Sequence, residues 1–197
     1  MSSEQKTAVF LSPWWALYAL MVLGYPIFAL VNYIEPPDDY GVVPAFTLQN
    51  QLDQAVDIGT INRPIIVNFI FTRCPNVCPT ISAKMALLQE HLSGYDVQLI
   101  SITVDPQYDT PEVLFTYAEQ FGADSTRWFF LTGEEQQVRS IVERFQQTYQ
   151  RINTDESVPN IMHSEKFILL DKEAHIRGFF DDDPKGLNQL LRTISAL

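Results

Sequence analysis

The 197-residue chain is 46% apolar and 19% charged, which suits one ordinary folded domain with a short appendage and excludes a disordered chain. Its formal net charge of −11 at pH 7 excludes nucleic acid as a partner, because phosphate backbones require a basic face. That charge fits either a self-repelling soluble surface or a docking face for a basic partner. Cys74 and Cys78 are the two cysteines, too few and too close for a disulfide-stapled scaffold, so they read as a redox or metal-binding pair.

In chain order, the first element is apolar. No charge lies between Lys6 and Glu35, and a run of this length spans a hydrocarbon core of about 30 Å as a tilted helix. Trp14, Trp15 and Tyr18 near one end and Tyr33 near the other read as an interfacial belt. A cleaved signal peptide would have a shorter apolar run ending in a small-x-small site. The pattern predicts a short cytoplasmic amino terminus (1–7), an uncleaved transmembrane anchor (8–34), a Pro-stiffened linker (35–44) and a domain over 45–197. Lys6 precedes the run and no Lys or Arg follows it until Arg63, which orients the amino terminus inside. The start lacks the Arg-rich character of a mitochondrial transit peptide. The expected setting is a bacterial inner membrane, crossed once, with the domain in the periplasm.

Within the domain, Ile65–Phe71 is a continuous apolar, β-rich run, as in a strand buried on both faces of a largely parallel sheet. Pro79–Leu92 has helical spacing, and Gln98–Val104 reads as a second buried strand. Thr110 and Pro111 open a helix that closes at Phe121-Gly122. A short strand (Trp128–Leu131), a helix from Glu134 to about Tyr149, a hairpin (Lys166–Leu170 and His175–Phe180, turning at Asp171–Ala174) and a helix opened by Pro184 follow. Alternation of this kind means βαβ units. With a closing hairpin and terminal helix, it predicts an α/β thioredoxin-like fold, a central mixed sheet flanked by helices. That fold places a cysteine pair just after its first buried strand, as here.

If Cys74 and Cys78 lie one helical turn apart, both thiols share a face and converge on one ion or one disulfide. A helix amino terminus favours thiolates and lowers their pKa. Sulfur donors select Cu(I), Zn(II) or iron–sulfur clusters. Clusters generally take four cysteines and structural zinc takes four protein ligands, whereas Cu(I) accepts two sulfurs and one imidazole. Of three histidines, His91 and His175 read as exposed or structural. His163 precedes the strand KFILL, on the loop that faces the cysteine turn in thioredoxin-like folds. Asp105 ends the second buried strand on the cysteine side; it either orients His163 and tunes charge from behind the ligands, or organises the turn before Pro106. Asp181, Asp182 and Asp183 read as a solvated run.

The blocks FIFTRCPNVCPT, TVDPQYDTPEVLFTYAEQFGA, WFFLTG and MHSEKFILLD resemble, in order, those of the Sco (SenC-like) copper chaperones. The resemblance implies that Cys74, Cys78 and His163 bind copper as the cofactor. It also implies that the chain serves the copper A centre of cytochrome c oxidase, by delivering copper, by reducing that centre's cysteines, or both. Implied partners are the copper A subunit, a thioredoxin-like reductant and other copper carriers. Tyr108 stands where the family commonly has a basic residue. On this reading the chain is a metallochaperone more than an enzyme. The alternatives are a thiol–disulfide oxidoreductase in which Cys74 attacks and Cys78 resolves, a peroxidase, which lacks its usual motif here, and a structural disulfide, for which so short a loop offers little stabilisation.

Overall fold

The computed structural model describes Trp14 and residues 38–75, 77–147, 150–152, 160–162 and 166–197, with backbone alone for 150–152 and 160–162. Apart from Trp14, the predicted anchor (8–34) lies outside the described residues, and so does His163. Among the described residues no helix is long and apolar enough to cross a membrane.

The domain is built on one seven-stranded sheet. In chain order its strands are β1 (Thr47–Asn50), β2 (Ala55–Asp57), β3 (Ile65–Ile70), β4 (Gln98–Thr103), β5 (Trp128–Thr132), β8 (Lys166–Leu170) and β9 (Ile176–Asp181). Their spatial order is β2-β1-β5-β4-β3-β8-β9. The centre, β5-β4-β3, is parallel, and β1 and β8 flank it antiparallel. Helices α1 (Val77–His91), α2 (Pro111–Gln120), α3 (Glu135–Arg144) and α4 (Pro184–Ile194) connect or follow the strands, and β6 (Gln150–Ile152) pairs with β7 (Asn160–Met162) as a separate ribbon. This is the expected mixed α/β sheet of the thioredoxin-like plan.

All six residues of β3 and all six of β4 are buried, as strands must be when helices cover both faces. Below one face, Phe145 meets Phe69 edge-on at 5.5 Å and Phe46 at 6.1 Å. On the other, Trp128 donates through Nε1 to Ser101 Oγ (2.9 Å), and Ser101 donates to Asn68 Oδ1 (2.7 Å). These bonds offset part of the cost of polar groups in a core strand, while the buried Asn68 Nδ2 has no hydrogen-bond partner among the described residues.

Local signals set the element ends. Thr110 caps α2 through Val113 N–H, and Pro111 occupies its first turn; proline has no N–H to leave unpaired there. Gly122 follows α2 at φ +61. Asp183 caps α4 through Gly186 N–H, and a Cβ on Gly186 would stand 2.1 Å from Asp181 O, so only glycine fits. Asp171 shapes the β8–β9 turn by accepting from Glu173 and His175 N–H and from Arg177. Helix α3 stops at Arg144, short of the predicted Tyr149, because Gln146 turns to φ +57.

The carboxyl-terminal part of the stretch read as a linker lies against the domain. Tyr40 N–H donates to Ile176 O, Ile176 N–H to Gly41 O and Val43 N–H to Ala174 O. Tyr40 stacks edge-on against Phe179, and Asp39 meets His175 Nδ1 at 3.0 Å. Leu170, next to this turn, pairs with Ile65 at the start of β3. The docked segment therefore lies at the end of the sheet opposite the one where β3 releases the cysteine turn.

Candidate metal centre at the end of β3

Strand β3 ends at Ile70 and the chain turns at once: Cys74 N–H donates to Phe71 O at 3.2 Å. Helix α1 then begins at Val77. Cys74 therefore precedes the helix, and Cys78 lies in its first turn. The expectation of two thiols on one helical face is replaced by a tighter relation, in which Cys78 N–H donates to Cys74 Sγ at 3.3 Å. Cys74 thus occupies a helix amino terminus, where backbone N–H groups favour negative charge. Pro79 falls within the first helical turn, where a missing N–H is harmless.

Cys74 is 9% exposed and Cys78 is 0% exposed, and no disulfide joins them. Burial pushes the Cys78 thiol well above its ordinary value and outweighs the opposing hydrogen bond of the Phe71 backbone. The sequence expectation of a lowered pKa is corrected for Cys78, because desolvation of a thiolate outweighs the helix terminus. Below the pair, Ser82 and Tyr117 share a 3.0 Å hydrogen bond, and burial raises Tyr117 as well.

The connection from β4 to α2 forms the wall beside the turn. Asp105, fully buried, receives Arg73 through Nε at 3.1 Å and a terminal nitrogen at 2.6 Å. Arg73 also lies over the Tyr108 ring, 4.3 Å from its centroid. Asp105 thus pairs with the residue before Cys74. Asp109, also fully buried, grips Thr72 and Thr103. Sequence reading missed Arg73 and Asp109. Their only signal is an acidic pair bracketing a turn, which gives no hint of a partner more than 30 residues upstream.

Of the expected donors, the structure brings Cys74 and Cys78 together, with Asp105 at the same end of the sheet. Among the described residues no three His, Cys, Asp or Glu side chains form a metal cluster; His163 lies outside them. His91 Nδ1 lies 2.7 Å from Leu87 O on its own helix, and His175 belongs to the opposite end. Two adjacent sulfur donors fit a soft ion. An open groove of about 540 Å³ adjoins the turn, lined by Thr72, Arg73, Pro79, Tyr108 and Tyr117 among others.

The same architecture occurs in solved proteins. A SCO1/SenC family lipoprotein from Bacillus anthracis superposes with a TM-score of 0.72 at 25% identity, covering 79% of this chain and 94% of that one. Arabidopsis thaliana ScoI with copper bound superposes at 0.68 and 23% identity, covering 79% and 98%. In sequence, a SCO2-like protein of Rickettsia felis is 32% identical over 187 residues, 90% of this chain and 89% of that protein. The SCO1/SenC family model matches residues 35–197, the linker and the whole domain. On that match, the chain belongs to the SCO1/SenC family.

Proposed function

We propose that the chain is a membrane-anchored copper metallochaperone, in which Cys74, Cys78 and His163 hold the ion and pass it to the copper A centre of cytochrome c oxidase or keep that centre's cysteines reduced. The observation that carries this reading is the pairing of two thiols at one helix start, with Cys74 Sγ 3.3 Å from Cys78 N. Family membership and the copper-bound ScoI of the same fold support copper as the cargo. The apolar run 8–34 supports an anchor that holds the domain at the outer face of a bacterial inner membrane. Asp105 serves the site from behind, by fixing Arg73 beside Cys74.

Cys74 is the more accessible thiol, so an incoming partner thiolate meets it first, and transfer proceeds by ligand exchange. Joining Cys74 to Cys78 as a disulfide removes both sulfur donors, so the redox state of the pair gates loading. The test is anaerobic addition of Cu(I) to the reduced protein, with bound copper counted by elemental analysis. One tightly held equivalent, weakened by His163→Ala, is expected. No tight binding, or binding indifferent to His163, moves the assignment to a thiol–disulfide oxidoreductase.

A further inference from the structure

The turn that carries Cys74 is held from outside by one five-residue segment. Thr72 donates twice to Asp109, through its N–H at 3.1 Å to Oδ2 and through its hydroxyl at 2.5 Å to Oδ1. Thr103, the last residue of β4, donates its hydroxyl to the same Oδ2 and accepts Asp105 N–H at 3.0 Å. Tyr108 and Asp109 N–H both close onto Asp105 O at 3.0 Å. Residues 105–109 thus form a tight loop whose two carboxylates, Asp105 and Asp109, point at Arg73 and Thr72. Two donors from one residue to one carboxylate fix both the backbone path and the rotamer of Thr72. Two residues later the chain reaches Cys74.

We propose that Asp109 is a positioning residue for the cysteine pair, latching the Thr72–Cys74 turn to the end of β4 and so setting the geometry in which the two thiols meet. The latch acts through Thr72; Asp109 itself touches neither copper nor sulfur. Its burial argues the same way. A fully buried carboxylate is unfavourable unless its oxygens are occupied, and here they are occupied by the residue that launches the cysteine turn. The copper part of this proposal rests on the function proposed above. The thiol part does not.

The test uses the full chain, unaltered and as Asp109→Ala, Asp109→Asn and Thr72→Val. Two quantities are measured. One is Cu(I) affinity by competition with a chromophoric chelator. The other is the equilibrium with glutathione, in which two protein thiols and one oxidised glutathione give the Cys74–Cys78 disulfide and two reduced glutathiones. Loss of hydrogen bonds to a buried charge predicts that Asp109→Ala weakens Cu(I) binding about tenfold or more and shifts the glutathione equilibrium about fivefold or more. Asp109→Asn, which keeps the shape and one acceptor, should recover most of both losses. Thr72→Val should move both quantities in the direction of Asp109→Ala, by less. Unchanged values in a folded Asp109→Ala protein overturn the latch, as does an asparagine variant that is no better than alanine. If Asp109→Ala does not fold, Thr72→Val decides alone: a shift supports the latch and no shift overturns it. If the unaltered chain binds no copper, the functional reading fails, and the glutathione equilibrium alone decides the latch.

Discussion

At the scale of single residues, the two thiols are unequal. Cys78 is sealed at 0% exposure, with its thiol pushed up by burial, while Cys74 retains some access. Alkylation needs both access and thiolate. Trace iodoacetamide should therefore label Cys74 well before Cys78, as read by peptide mass spectrometry; labelling of Cys78 first would refute the inequality. Asp109 gives a prediction with a definite sign. Burial raises its pKa, despite the hydrogen bonds from Thr103 and Thr72. A carboxyl raised in the folded state contributes stability below its unfolded pKa, and that contribution is lost as pH rises through the folded value. Asparagine at 109 does not ionise and escapes the loss. Asp109→Asn should thus melt higher than the unaltered chain at about pH 7, with the gap closing toward about pH 4; a gap of the opposite sign would contradict the burial argument. The cysteines were legible in the sequence because their spacing carries chemistry by itself. Arg73 and Asp109 were not, because only the parallel pairing of β3 with β4 brings Thr72 to Asp109 and Arg73 to Asp105.

At the scale of elements, legibility followed burial and length. The six-residue strands β3 and β4 announced themselves as apolar runs, and the capped helices α2 and α4 by their Thr-Pro and Asp-Pro starts. The hairpin β1–β2 and the ribbon β6–β7 have strands of three or four residues, too short for any period to register. The predicted spacer hid a further element. Its residues 38–43 alternate little, and their pairing with Ala174 and Ile176 is visible only once the β8–β9 hairpin exists. Asp39 lies below its ordinary value, chiefly because Gly41 N–H donates to it, with His175 adding to the effect. A lowered carboxyl stabilises above its unfolded pKa, and that contribution is lost as pH falls through the folded value. The segment should therefore loosen under acid, at and below about pH 4. Hydrogen exchange at Tyr40 and Val43 would report it, and protection that survives acid would count against the Asp39 contacts. The core makes a larger demand. Phe145, fully buried between Phe46 and Phe69, should cost about 3–5 kcal/mol when truncated to alanine, by denaturant unfolding.

At the scale of the whole molecule, one sheet separates two ends. The cysteine turn leaves the carboxyl end of β3, where open α/β sheets collect their sites. The docked residues 39–43 lie at the other end, beside the pairing of Ile65 with Leu170. The six residues of β3 between them span about 20 Å. On the proposed function, tethering by residues 8–34 would confine delivery to targets in the same membrane, which would raise their effective concentration without any new contact. Such a tether should affect encounter and leave the chemistry of the site alone. A form starting at residue 35, sent to the periplasm behind a cleavable signal peptide, should therefore bind Cu(I) with the affinity of the full chain. At native abundance it should support less copper A assembly in cells, and overproduction should restore that assembly. The readouts are chelator competition for binding and oxidase activity of membranes for assembly. A truncated form that assembles the oxidase as well as the full chain at equal abundance would remove the tether from the mechanism. One that fails even when overproduced would mean that residues 1–34 do more than raise concentration.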